Sequence, residues 1–246
     1  MRSVYNINRF VTIHRMKIAI ITGGETGERD VSIKSAKNIA NLIDFADIET
    51  FVFPEEVAPF LMATNTFDIV IPMIHGAGGE DGKLQTFLCN LNIPFIFSEA
   101  STHEIAIDKR RTKESVAKIG IFSPKEIGGF PLFAKPRFGG SSVASKLCGS
   151  QNDLDILVKE SPVTEFIKEE PIKGREFTVG VVEHENKTFA LPVVEIIPKG
   201  EFFDFVYLQQ DAFDPVDEAT PKERQIYTFD FIYRILESSF TFSTKD

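Results

Sequence analysis

The stretch FAKPRFGGSSVASK, from Phe133 to Lys146, narrows the possible folds more than any other part of the chain. Apolar residues on either side of Gly139-Gly140-Ser141-Ser142 predict two short strands joined by a loop whose backbone N–H groups are unhindered. Lys135 stands at the end of the first strand and brings a compact ammonium with three donors close to two hydroxyls. That combination reads as a phosphate cradle. Taken alone, Gly-Gly-Ser-Ser between strands is more often an ordinary hairpin turn, so the rest of the chain has to decide.

Upstream, KIAIIT (Lys17 to Thr22) is a continuous apolar run ended by Gly23-Gly24, the pattern of a buried parallel strand leaving its sheet. Ile33, Ala36, Ile39, Ala40 and Ile43 then recur at helical spacing. Ile48 to Phe53 and Asp68 to Met73 predict two further strands, and Gly82 to Leu91 a helix before a strand at Ile93 to Phe97. Ser101 to Ile119 predicts two short helices broken near Asp108-Lys109. Beyond Pro124 the pattern becomes α+β, with strands expected at Leu132 to Lys135, Val143 to Leu147, Val163 to Ile167, Glu176 to Val182, Thr188 to Ala190 and Val193 to Ile197. A helix is expected at Asp153 to Lys159, and another from about Lys222 to Leu236.

A net charge of -9 argues against a nucleic-acid or anionic-membrane binder, which would carry a basic face. Cys89 and Cys148 have neither disulfide-framework nor zinc spacing, which fits a reducing cytoplasm. No apolar run approaches the roughly 20 residues needed to cross a bilayer. Residues 1–15 lack the apolar core of a secretory signal and read as a disordered tail, or as sequence upstream of a start at Met16.

Three stretches besides the cradle carry chemistry. GGETGERDVS presents Glu28 at a helix start, where a carboxylate can hold a ligand ammonium and the helix N-terminus can face an anion. IHGAGGEDG places His75 at a strand end among four glycines, and an imidazole there suits a carboxylate ligand. Glu80 and Asp81 are expected to orient His75 or cap the next helix. IDKRRTK and KGREFTVG supply Lys109, a second lysine for a polyphosphate, and Glu176, a carboxylate able to accept two ribose hydroxyls. Arg110, Arg111, Lys113, Lys173 and Arg175 are expected in solvated positions.

With these residues in view the chain resembles the D-alanine–D-alanine ligase family of the ATP-grasp superfamily, from Met16 to about Ser238. GGETGERDVS, IPMIHGAGGEDGKLQ, AIDKRRTK, AKPRFGGSSVAS, GREFTVG and LPVVEI occur in the family's order. The resemblance implies an α/β and α+β protein, with a Rossmann-like N-terminal domain (16–99) followed by an ATP-grasp fold. The latter divides into a central subdomain (100–168) and a C-terminal subdomain (169–246). It implies an enzyme that phosphorylates one D-alanine with ATP and lets a second D-alanine attack the acyl phosphate. By position, Glu28 and Ser141 would hold the first ammonium and His75 would sit near the carboxylate. Lys109, Lys135, Gly139, Gly140, Ser141 and Ser142 would bind phosphates, and Glu176 the ribose. The adenine hinge would run through Glu169, Glu170 and Ile172, with Glu165 as the competing register. A homodimer through the N-terminal domain is also implied.

The chain departs from the family pattern in two places. FFDFVYL keeps the lid residue Tyr207 but has Val206 where the family has lysine. The strands that carry the family's Mg²⁺ ligands are not found after Ser239, so the C-terminal subdomain is expected to be incomplete and no metal ligand is assigned. Turnover by this chain is therefore in question. A non-catalytic remnant that binds nucleotide, D-alanine or a ligase subunit is the competing expectation, and another ATP-grasp carboxylate–amine ligase is a third.

Overall fold

The computed structural model describes residues 15–140, 143–162, 165–184 and 187–196. The expected helix over 222–236 and the lid around Tyr207 lie outside them.

Strand β1 (Lys17–Gly23) is the centre of a parallel sheet, with β2 (Asp47–Phe53) on one side and β3 (Ile69–Pro72) on the other. Only Lys17 of β1 is exposed. Because side chains alternate along a strand, β1 serves two cores at once. Ile18 and Ile20 pack with Ala36 of helix α1 (Arg29–Leu42), Ala46 and Ile71. Ala19 and Ile21 face the opposite way, into a core with Phe51, Phe53, Phe60, Leu84 and Leu88. Phe60 of α2 (Val57–Ala63) is fully buried. Its ring meets those of Phe51 and Phe53 edge-on at 5.3 and 5.6 Å, the arrangement aromatic quadrupoles favour. Helix α3 (Lys83–Asn90) closes that face.

The strand expected at 93–97 is reduced to a single parallel bridge between Val70 and Phe95. Pro94 has no N–H to offer, and Phe97 turns the chain away at φ 80°. The expected helix break is observed. Helices α4 (Ala100–Ile107) and α5 (Lys109–Ala117) meet at Asp108, whose extended backbone cannot continue a helix and whose carboxylate accepts from the N–H groups of Arg110 and Arg111.

The second sheet is antiparallel, with β4 (Leu132–Pro136) between β5 (Lys146–Cys148) and β6 (Phe166–Glu169). Helix α6 (Gln151–Glu160) starts in a capping box between Ser150 and Asp153 and lays Leu154 and Leu157 on Leu132, Ala134 and Cys148. Three strands differ from expectation. The strand expected to end at Ile167 runs on to Glu169 as β6. β5 starts at Lys146 rather than Val143, because Val143 and Ala144 belong to the turn and Ala144 has φ 56°. The predicted strand over 176–182 is two strands, β7 (Glu176–Thr178) and β8 (Val181–His184), which pair with β10 (Val194–Ile196) and β9 (Lys187–Ala190). They separate at Gly180, where a Cβ would lie 2.8 Å from Leu191 Cδ1. No described helix is long and apolar enough to cross a membrane.

Candidate functional site

In β4 the core takes Leu132, Ala134 and Pro136, so alternation turns Lys135 to the other face. There Lys135 Nζ meets Glu169 Oε2 at 2.6 Å. Lys113 Nζ meets Glu169 Oε1 at 2.7 Å and also donates to the Pro124 carbonyl oxygen. The Glu169 side chain is only 3% exposed. A carboxylate so dry is tolerated because both oxygens are paired. One helical turn before Lys113 on α5, Lys109 donates from Nζ to the Gly139 carbonyl oxygen at 2.7 Å. Burial, and then repulsion from Lys135, hold the Lys109 ammonium below the usual lysine range, with Glu169 and Asp108 opposing them. Two lysines thus pair with one carboxylate while a third, Lys109, binds the Gly139 turn close enough for Lys135 to repel it, a charge balance that a polyanion would improve.

A chain of ion pairs fixes this cluster. Arg137 clasps Asp108 with two bonds of 2.8 and 2.6 Å and donates to Glu165 at 2.9 Å. Arg110 bridges Glu165 to Glu126 and grips Glu126 through both carboxylate oxygens at 2.9 Å. The Arg137 guanidinium, before all else, keeps the Asp108 carboxyl well ionised below the ordinary aspartate range. These pairs tie the start of α5 to the end of β4 and the start of β6. Together with the Lys109 N–H on the Arg137 carbonyl oxygen (3.1 Å), they set where Lys109 stands.

The second half of the site is built on the first sheet. Glu28 occupies the N-cap position of α1. Gly76, at φ 76°, faces it so closely that a Cβ there would lie 2.5 Å from Glu28 Oε2. Ser32 binds the two segments together, accepting from the His75 N–H at 2.9 Å and donating to the Glu28 carbonyl oxygen at 3.1 Å. His75 Nδ1 stands 3.6 Å from Glu80 Oε1. That partnership lifts His75 above the ordinary imidazole value against the opposing effect of burial, and Glu28 adds to the lift. Glu80 is correspondingly lowered. Asp81 accepts from the N–H groups of Gly78 and Lys83, closing the loop onto α3 as expected.

The halves adjoin: a Cβ on Gly140 would lie 3.9 Å from Glu80 Oε2. Glu28 and His75 are therefore held together beside the turn that Lys109 binds. Glu170 is drawn to the Lys125 N–H (3.0 Å), and Ile172 is 70% exposed. Glu165 is engaged by Arg110 and Arg137. Glu176 is exposed at the first position of β7. Ser141, Ser142 and Tyr207 lie outside the described residues.

The expectation that Arg110 and Lys113 are simply solvated is corrected, since both belong to the networks above. Arg175 is solvated as expected, its side chain 71% exposed while it binds Glu195 at 2.6 and 2.8 Å. The sequence did hold a clue for Lys113. Residues i and i+4 of a helix share a face, so Lys109 and Lys113 had to project together once the helix start at Asp108 was known. Among the described residues no group of three or more His, Cys, Asp or Glu side chains is placed to hold a metal ion.

A sheet bearing a lysine-lined glycine turn, beside an α/β unit with an acid and a histidine at its loop ends, defines the ATP-grasp class. A family model described as "D-ala D-ala ligase C-terminus" matches residues 104–229. D-alanine–D-alanine ligase of Thermotoga petrophila is 30% identical over 236 residues, covering 87% of this chain and 78% of that protein. The ligase of Clostridium perfringens (strain SM101) is 33% identical over 215 residues, covering 80% and 70%. Among solved structures, the Bacillus anthracis ligase complexed with ATP superposes with a TM-score of 0.63 at 26% identity, covering 76% of this chain and 68% of that one. The Coxiella burnetii ligase gives 0.61 at 25%, covering 75% and 69%. The chain belongs to the D-alanine–D-alanine ligase family.

Proposed function

We propose that the protein joins two D-alanines at the expense of ATP, through an acyl phosphate, to give the dipeptide used in cell-wall synthesis. The observation that carries this reading is the pairing of Lys113 and Lys135 with the buried Glu169 beside Lys109, which binds the glycine turn that lies next to Glu80. ATP, when bound, supplies the phosphoryl group that makes a carboxylate oxygen a leaving group. The chain's own residues do the assembling. Lys109 and Lys135 offset the repulsion between a triphosphate and a carboxylate, which must come together before reaction. Glu28 holds the ammonium of the first D-alanine, and His75, whose cationic form Glu80 favours, attracts its carboxylate. Glu176 takes the ribose, and Glu169, Glu170 and Ile172 border the adenine. Ser141, Ser142 and Tyr207 are assigned to the phosphates, the substrate ammonium and the lid by the family pattern alone.

Val206, where the family has a lid lysine, favours a second reading in which a polypeptide of these 246 residues binds both ligands with little turnover. The test is ADP release with D-alanine, ATP and Mg²⁺, run beside calorimetric titration of each ligand. Release that requires D-alanine supports the ligase. Binding without release supports the second reading. Absence of ATP binding refutes both.

A further inference from the structure

Lys113 was given no role by its sequence context, yet it is a half-buried lysine on a carboxylate that is 3% exposed. Glu169 has two cations, at 2.7 Å (Lys113) and 2.6 Å (Lys135). They are not equivalent. Lys113 is anchored a second time, on the Pro124 carbonyl oxygen, and its backbone lies within α5. Lys135 is on β4 beside Lys109, and the two ammoniums repel each other. A triphosphate at the Gly139 turn would draw Lys135 away from Glu169. Were Lys135 the sole partner, that move would strand a buried carboxylate, a costly event that would oppose nucleotide binding.

We propose that Lys113 is a positioning residue which keeps the Glu169 carboxylate neutralised, so that Lys135 is released to the nucleotide. This rests on the ATP-binding reading above. Lys113 acts through Glu169 and touches no phosphate. The exposures agree, with the Lys113 side chain at 20% and that of Lys135 at 26%, so the anchored cation is the more enclosed of the two.

The consequence is a dependence that a simple phosphate ligand would not show. Removing the Lys113 charge should weaken ATP, and removing the Glu169 charge as well should give much of the loss back. Titration of ATP into the full chain provides the test. Lys113→Met is expected to raise Kd by about tenfold or more, Lys113→Arg to stay within about threefold of the parent, and Lys113→Met/Glu169→Gln to bind more tightly than Lys113→Met alone. Parent-like affinity in Lys113→Met overturns the proposal. So does a loss that Glu169→Gln fails to relieve in Lys113→Met when Glu169→Gln alone keeps parent-like affinity. If Lys113→Met does not fold, recovery of folding by Glu169→Gln supports the pairing and continued failure overturns it. A parent chain that binds no ATP refutes the proposed function instead, a result distinct from all of these.

Discussion

β1 and β4 are both the middle strands of three-stranded sheets, but different forces surround them. β1 has hydrocarbon on both faces, with Ile18 and Ile20 toward α1 and Ala19 and Ile21 toward the phenylalanine cluster. β4 gives one face to Leu154 and Leu157 and carries the paired Lys135, with half-buried Phe133, on the other. A strand enclosed on both sides leaves only its ends for chemistry, so the first sheet contributes Glu28 and His75 from loops. A strand with one charged face can place a functional side chain in mid-strand, as β4 does with Lys135. The first sheet should therefore answer to packing changes, and the second to charge and ionic strength.

The most severe test of that division is Phe60→Ala. Loss of a fully buried ring should cost about 4 kcal/mol in denaturant unfolding, nearly unchanged between low and high salt. A cost that varied strongly with salt would break the comparison. Gly79→Ala should be nearly as damaging, about 3 kcal/mol, because the new Cβ would lie 2.0 Å from the Ile74 carbonyl oxygen and overpacking cannot be relieved against backbone. Asp108→Ala should cost about 1–2 kcal/mol through the lost helix cap. Any further loss from the Arg137 pair should change little in 1 M salt because Asp108 is buried, whereas the more exposed Arg110–Glu126 pair should weaken there. Hydrogen exchange should place that loss in α5 and β4 and spare β1.

The smallest effect is electrostatic and belongs to the loop between the sheets. His75 is raised in the fold, so its share of stability is complete below about 6.5 and fades as pH climbs through the raised value. Glu80 is lowered, so its share is present above 4.5 and fades as pH falls through the lowered value. The pair is strongest between those limits. A proton-detected titration of the His75 ring should fall toward the ordinary value in Glu80→Gln, and an unmoved ring would show that Glu80 is not its partner.

The first sheet was legible because continuous apolar runs and terminal glycines report burial directly, and the helix break near Asp108-Lys109 was expected as well. The failures share a cause. The strand at 93–97 looked apolar enough, but Pro94 and the positive φ of Phe97 limit it to one bridge. Ile93 is buried in the core all the same. Arg110, Lys113 and Arg137 were opaque because a charge gives no periodic sign of where its counter-charge lies; Glu126, Glu165 and Glu169 are distant in sequence and adjacent only once β6 pairs with β4. The glycine turn after β4 was legible as a motif, while the ion pairs around it were not.

The narrow gap between Gly140 and Glu80 has one more consequence. With Gly140 this near Glu80, a movement of the glycine turn that displaced the acid would change the field at the His75 imidazole. Thermodynamic reciprocity then requires that an occupant under the turn and an occupant beside His75 change each other's grip by the same factor, whichever arrives first.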